Sequence, residues 1–215
     1  MKFSELLDIV ADEPVFRSSL LRAGDVAVVD LASQLSRWVA AGKLLSLRRG
    51  VYALAAPYRR REPHAFEIAN VLARPSYVSL ESALSFHGLI PEAVFVTTSV
   101  TTGPPSTFDT ALGRFDFRHV SRELFWGYAE ELVGGDRKRT ALVARPEKAL
   151  LDLVYLRPGG DAEPFLRQLR LDRLGSLDMA ALERDALRTG KPKLLRAARA
   201  IARMAAAQSE EWVRL

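Results

Sequence analysis

The chain has 215 residues, no cysteine, 48% hydrophobic residues and a formal net charge of +5. The missing cysteine excludes disulfides, zinc knuckles and thiol catalysis, and the hydrophobic content excludes wholesale disorder. The basic excess favours an anionic partner. No apolar run approaches the roughly 18 residues of a membrane span, and Glu5 and Asp8 do not suit a secretory signal. We therefore expect a soluble cytoplasmic protein.

The first 25 residues predict two helices. Residues 3–11 carry apolar side chains at helical spacing. Pro14 can open a second helix, because its fixed φ suits a first helical turn. Phe16 and Leu21 continue an apolar face, and Gly24 interrupts it.

A third helix is the clearest element of the chain. Leu31, Leu35, Trp38 and Val39 recur at i, i+4, i+7 and i+8, which places them on one helical face. Gly42 follows, and glycine readily takes the left-handed conformation found just beyond helix ends. The polar residues between these positions then lie on the opposite face.

A small basic hairpin comes next. Two short extended runs, one around Leu45 and Leu47 and one from Val51 to Leu54, flank Gly50, which suits a tight turn. Three helices followed by a hairpin indicate a winged helix-turn-helix, in which a recognition helix enters the major groove of DNA and the hairpin contacts the backbone or minor groove.

The charge pattern of this region favours DNA. Seven basic residues and no acidic one lie between Arg37 and Arg61, as phosphate binding requires. The alternative is a solvated basic face. Candidate contacts are the polar and basic residues of the helix, the hairpin and the segment after it: Ser33, Gln34, Ser36, Arg37, Lys43, Arg48, Arg49, Arg59, Arg60 and Arg61.

The composition changes at residues 55–63, where two prolines bracket three arginines without periodicity. We therefore predict a DNA-binding domain over 1–56, a linker over 57–62 and a second domain over 63–215. The second domain alternates helical and β-branched patterns, so the fold class is α+β, with a mixed α/β C-terminal domain that ends in helices.

The predicted elements of the second domain have recognisable boundaries. Pro75, Gly88 and Pro146 mark helix ends and starts, and Ser79 is a plausible N-cap. Segment 103–113 contains prolines and glycines and predicts a loop, whereas 124–128 is ambiguous. Predicted helices are 64–73, 80–87, 145–156, 162–171, 177–188 and 191–207; predicted strands are 77–78, 94–102, 114–120 and 140–143.

Three blocks of sequence carry a resemblance to a known family. Residues 35–52 read L-S-R-W-V, then G-K-L and R-G-V-Y; residues 77–89 read Y-V-S-L-E-S-A-L and H-G-L; residues 145–153 read R-P-E-K-A-L-L-D-L. F-W-G-Y at 125–128 lies between the last two. In this order the blocks resemble the AbiEi-like antitoxins and transcriptional regulators of type IV toxin–antitoxin (abortive-infection) systems.

The resemblance implies a repressor of its own operon that binds a repeated promoter sequence. It also implies a C-terminal domain that counters a nucleotidyltransferase-like toxin without a stable complex. From the residues themselves we expect neither enzymatic activity nor a cofactor. Two alternative functions remain open. The winged helix could bind a partner protein, or the chain could be a stand-alone regulator without a toxin.

A metal-dependent enzyme is the other alternative. Glu147 and Asp152 would be its ligands, but five residues along a helix separate them by about 140° around the axis, so they do not share a face. Glu147 in a first turn suits the helix dipole, and His87 before Gly88 suits a helix end. The basic helix from Arg188 to Arg203 is either a solvated face or a second phosphate contact.

Overall fold

The computed structural model describes residues 1–10, 12–13, 15–22, 28–91, 94–134, 139–172 and 174–213, without the side chains of 22, 28–30 and 209–213. The described residues form eight α-helices and two β-sheets, so the fold is mixed α and β as predicted. No helix in these ranges combines the length and apolarity needed to cross a membrane.

A three-stranded antiparallel sheet organises the first region, with β3 between β1 and β2. Gly50 has φ of +77° at the turn between β2 and β3, where an L side chain would be strained. The elements in chain order are α1 (Phe3–Ile9), β1 (Val15–Arg17), a 3₁₀ helix (Ser18–Arg22), α2 (Val28–Ala40), β2 (Leu44–Arg48), β3 (Val51–Leu54) and a 3₁₀ helix (Ala56–Tyr58).

The structure confirms the predicted α1, α2 and hairpin, but the predicted second helix is wrong. Residues Val15–Arg17 form a strand paired with β3, and only a 3₁₀ helix follows. Val15 and Phe16 suit a strand, and pairing with β3 satisfies the backbone groups that a helix would otherwise satisfy. Pro14 and Gly24 lie outside the described residues.

The second region contains a six-stranded mixed sheet of order β6-β7-β5-β4-β9-β8. Helices α4 and α5 pack on each other, and α7 and α8 pack on α5. The elements are α3 (Ala65–Leu72), β4 (Ser76–Val78), α4 (Leu80–Phe86), β5 (Val96–Thr101), β6 (Ser106–Thr110), β7 (Gly113–His119), a 3₁₀ helix (Arg122–Leu124), β8 (Tyr128–Leu132), β9 (Thr140–Ala144), α5 (Pro146–Leu156), α6 (Glu163–Gln168), a 3₁₀ helix (Leu174–Ser176), α7 (Met179–Arg188) and α8 (Pro192–Val213).

The predicted helices and strands of this region are all present, with ends shifted by a few residues. The predicted loop 103–113 is wrong, because Ser106–Thr110 forms the edge strand β6 antiparallel to β7. Ser79 is the N-cap of α4 by position, but its hydroxyl donates to Asp152 and accepts no hydrogen bond from the helix backbone. His87 ends α4 as predicted, and its Nε2 lies 2.8 Å from the carbonyl oxygen of Ala144.

The two regions share one hydrophobic core. Val15, Leu47, Val51 and Ala53 are buried with the residues that line the six-stranded sheet. A separate cluster in the first region contains Leu6, Val10, Phe16, Leu21, Leu31, Leu35, Leu44 and Leu54. Arg17 reinforces the contact: its Nε donates to the carbonyl oxygen of Val71 at the end of α3 at 3.0 Å. The hairpin is therefore packed on the second region.

Gly160 turns the chain back against the end of α5. A Cβ at this position would lie 2.5 Å from the carbonyl oxygen of Val154 and 2.9 Å from its Cα. We expect Gly160→Ala to lower the free energy of unfolding by about 2 kcal/mol, because neither backbone atom can rotate away. Gly175→Ala is the control, since its Cβ would meet no described atom within 4 Å. Urea unfolding measures both, and equal midpoints for the two variants would contradict the steric account.

Candidate nucleic-acid interface

Helix α2 presents polar side chains on the face opposite its buried leucines. Leu31 and Leu35 are buried in the core of the first region, whereas Ser33, Ser36 and Arg37 are exposed. A turn of helix separates Ser33 from Ser36 and Arg37, so all three lie on one side. This face offers two hydroxyls and a guanidinium, groups that hydrogen-bond to base edges and phosphates.

A concave surface beside this face brings three predicted residues together. Gln34, Arg37 and Lys43 line a cavity of about 380 Å³ with Lys2 and Phe3. The Nζ of Lys43 lies 4.8 Å from the centroid of the Phe3 ring, and the Oε1 of Gln34 is buried with no hydrogen-bond partner in the described residues. Sequence reasoning missed Lys2, which comes near the others only through folding.

The two hairpin arginines have different environments. Arg49, at the turn, is exposed. Arg48 is half-buried, and its guanidinium carbon lies 5.5 Å from the centroid of the Phe108 ring on β6. Its Nε is buried without a partner among the described residues. The structure therefore places Arg48 between the two sheets and leaves Arg49 accessible to a ligand.

Two of the three arginines in the predicted linker are held by carboxylates. The side chain of Arg59 is 10% exposed and pairs with Glu62 at 2.6 Å. Arg61 makes two hydrogen bonds to Glu67, of 2.8 and 2.7 Å. Both guanidinium groups are thus occupied within the protein.

Arg60 differs from its neighbours. Its side chain is 72% exposed and lies 3.7 Å from Asp12, which is 92% exposed. An ion pair this open contributes little and is easily exchanged for another anion. Arg60 thus remains available to a ligand, although the flanking arginines are held by carboxylates.

Two arginines of the basic terminal helix are also paired with carboxylates of the protein. Arg196 of α8 pairs with Asp161 at 2.7 Å, and Arg199 pairs with Glu183 at 3.1 Å. These contacts attach α8 to neighbouring elements. They lower the positive charge that this helix can offer to DNA.

A second polar cluster is buried between α5 and β4. Lys148 and Asp152 are ion-paired, and each side chain is only 3% exposed. Asp152 also accepts hydrogen bonds from the hydroxyls of Tyr77 at 2.9 Å and Ser79 at 2.8 Å, and Lys148 donates to Tyr77 at 2.8 Å. Each polar group therefore has a partner, as burial requires.

Burial shifts the ionisation of this cluster. Removal from water raises the pKa of the Asp152 carboxyl, and the adjacent Lys148 ammonium and the two hydroxyl donors oppose that rise. Burial likewise lowers the pKa of Lys148, which Asp152 opposes. Each partner thus opposes the shift that burial imposes on the pKa of the other.

The carboxylates of the metal-dependent alternative point to different partners. Glu147 Oε1 accepts from the backbone N–H of Asp178 at 3.0 Å, at the start of α7, whereas Asp152 faces Lys148. In the described ranges no three histidine or acidic residues lie close enough together to hold a metal ion. Both carboxylates are used to join helices and strands.

Comparisons with protein-family models and with curated proteins return no match for this chain.

Proposed function

We propose that this chain is a DNA-binding transcriptional regulator that recognises promoter DNA through α2 and the β2–β3 hairpin. The observation that carries the proposal is the exposed face of Ser33, Ser36 and Arg37, followed in the chain by the exposed Arg49 of the hairpin turn. The order helix, strand, helix, hairpin, with β3 between β1 and β2, is compatible with a winged helix whose recognition helix is α2.

The accessible charge supports an electrostatic contribution to this binding. The side chains of Arg37 and Arg49 make no hydrogen bond or ion pair with any described residue, and that of Arg60 is held by an exposed carboxylate. Together with the half-buried Lys43, they supply about four phosphate contacts for each chain. The logarithm of the association constant should then fall with the logarithm of salt concentration with a slope of about −4.

The sequence resemblance extends the proposal. By this analogy, the regulator represses its own operon from the cytoplasm, and its second region counters a nucleotidyltransferase-like toxin without a stable complex. A stand-alone regulator would bind the same promoter without such a toxin. Growth of cells that express the neighbouring gene, with and without this protein, distinguishes these two cases.

The test is a mobility-shift titration with the protein's own upstream DNA at two salt concentrations. We expect Arg37→Gln combined with Arg49→Gln to weaken binding at least tenfold and to reduce the magnitude of the salt slope by about 2, because two phosphate or base contacts are lost. The control is Arg167→Gln, which removes another exposed arginine, on α6, and should leave the affinity unchanged.

Arg48→Gln tests whether Arg48 contacts DNA, as the sequence predicts, or packs within the protein, as the structure indicates. Its side chain packs on Phe108, so this variant should weaken DNA binding less than Arg49→Gln does. If no specific complex forms at low salt, or if affinity does not depend on salt, the regulator proposal fails. The remaining interpretation would then be a winged helix that binds a protein.

A further inference from the structure

A large groove lies on the second region, away from the residues assigned to DNA. One wall is formed by the polar side of β5, β6 and β7, with Thr98, Thr107 and Arg118, and the other by α5 and α6. Its volume is about 1180 Å³, somewhat above the range of roughly 300–1000 Å³ that is usual for small-molecule sites.

The groove has the apolar surface that an organic ligand requires. The apolar lining comes from α4, α5, α6 and the segment after α4, and includes Leu80, Ile90, Leu153, Phe165 and Leu169. Leu80 has φ of +58°, a conformation that costs a residue with a Cβ about 1–3 kcal/mol and that clusters at functional sites.

The groove also has a cation without a protein counterion. The Arg157 guanidinium stacks on Phe165, 4.9 Å from the ring centroid, and its nitrogens have no hydrogen bond or ion pair within the described part of the chain. A stacked guanidinium is held in place while its N–H groups still point outward for a carboxylate or phosphate.

The groove lining carries other charged residues besides Arg157. Arg118 pairs with Asp116 at 2.7 Å, so this pair is neutral overall. Arg114 is 58% exposed and lies 3.5 Å from an exposed Asp109, a weak contact that leaves it able to bind an anion. Glu81 is the remaining acid among the described lining residues.

We propose that this groove binds a small amphipathic organic anion. Its apolar body would lie on Leu153, Leu169 and Phe165, and its carboxylate, phosphate or sulfonate would pair with Arg157 and Arg114. This assignment does not depend on the DNA-binding proposal, because it uses none of the same residues.

Strand β6 connects the groove with the hairpin. Thr107 lines the groove and donates its hydroxyl to Asp116 at 2.9 Å, while the next residue, Phe108, lies beneath Arg48. An anionic occupant that competes with Asp116 for Arg118 would act, through Asp116 and Thr107, on the strand that supports the hairpin. This regulatory role rests on the proposed DNA-binding function, whereas ligand binding itself does not.

The experiment uses the full chain and two fluorescent probes of similar shape. 1-Anilinonaphthalene-8-sulfonate carries an anionic group, and N-phenyl-1-naphthylamine has the same rings without it. We expect saturable 1:1 binding of the sulfonate, about tenfold weaker in Arg157→Gln and several-fold stronger in Glu81→Gln. Binding of the neutral probe should be the same in both variants, which also shows that they are folded.

Two further variants test whether the probes bind in the groove. Gln168 is an exposed lining residue of α6, so Gln168→Trp should fill the groove and weaken both probes. Arg167→Gln, on the same helix outside the lining, should weaken neither. Binding of the sulfonate that does not saturate, or that stays within twofold of wild type in Arg157→Gln and Arg114→Gln, would overturn the proposal.

Discussion

Lys148→Met should lower the free energy of unfolding by about 3–5 kcal/mol at pH 7, measured by urea unfolding. The substitution keeps most of the side-chain volume but leaves the Asp152 carboxyl buried without its cation, which is the costly way to break a buried ion pair. Tyr77 and Ser79 still donate to the carboxylate. They do not replace the lost charge.

The pH dependence has a defined sign. Without Lys148, burial alone acts on Asp152 and raises the pKa of the carboxyl further above its ordinary value of about 3.9. The folded state then holds more protons than the unfolded state above that value, so the stability of the variant falls as pH rises. The deficit relative to wild type should therefore be smaller at about pH 5 than at pH 8.

The reciprocal variant should behave in the opposite way. Asp152→Asn leaves Lys148 buried without its anion, and burial alone then lowers the pKa of Lys148 further below its ordinary value of about 10.4. The folded state holds fewer protons, so stability rises with pH.

A double variant separates the pair from its surroundings. Lys148→Met with Asp152→Leu removes both charges, and replacing a buried pair by apolar groups costs much less than removing one partner. We expect the double variant to be more stable than either single variant, although two hydroxyls lose their acceptor. If the stability lost in the double variant equals the sum of the losses in the two single variants, the two side chains do not interact.

Elements built from local patterns were predictable from the sequence. Helix α2 follows from the spacing of Leu31, Leu35 and Trp38, and Gly42 marks its end. Gly50 marks the turn of the hairpin. These local signals predict the bounds of both elements to within a few residues. Strand β1 was not predictable in this way, because three residues carry no period and its partner β3 comes more than 30 residues later.

The environments of the arginines were even less accessible to sequence reasoning. Arg48 and Arg49 are adjacent and chemically identical, and what separates them is Phe108, on a strand that was predicted to be a loop. The i, i+4 spacing of Lys148 and Asp152 was visible on the predicted helix. The hydroxyls that complete the cluster lie more than 70 residues earlier, so only the fold reveals a buried network there.

Val51→Asp should destabilise both regions together by about 3–5 kcal/mol. Val51 is 1% exposed at the start of the central strand β3 and belongs to the core shared with the second region, so its replacement buries a carboxylate without a cation. Since most domains are stable by only about 5–15 kcal/mol, this is a large fraction of the total. Ser46→Asp adds the same charge to the exposed side of β2 and should change stability by less than about 0.5 kcal/mol.

Tryptophan fluorescence reports whether the regions unfold as one unit. Trp38 packs edge-on against Phe3 in the first region, and Trp126 lies under Arg188 in the second. Replacing Trp212 and one of these two tryptophans by Phe leaves a single tryptophan that reports on one region. Because β1 and the hairpin contribute side chains to the core of the second region, both signals should change at one urea midpoint and shift together in Val51→Asp. A Trp38 transition that moves while the Trp126 transition stays fixed would show two independent domains, and a change in the second region could then not reach α2 through the shared core.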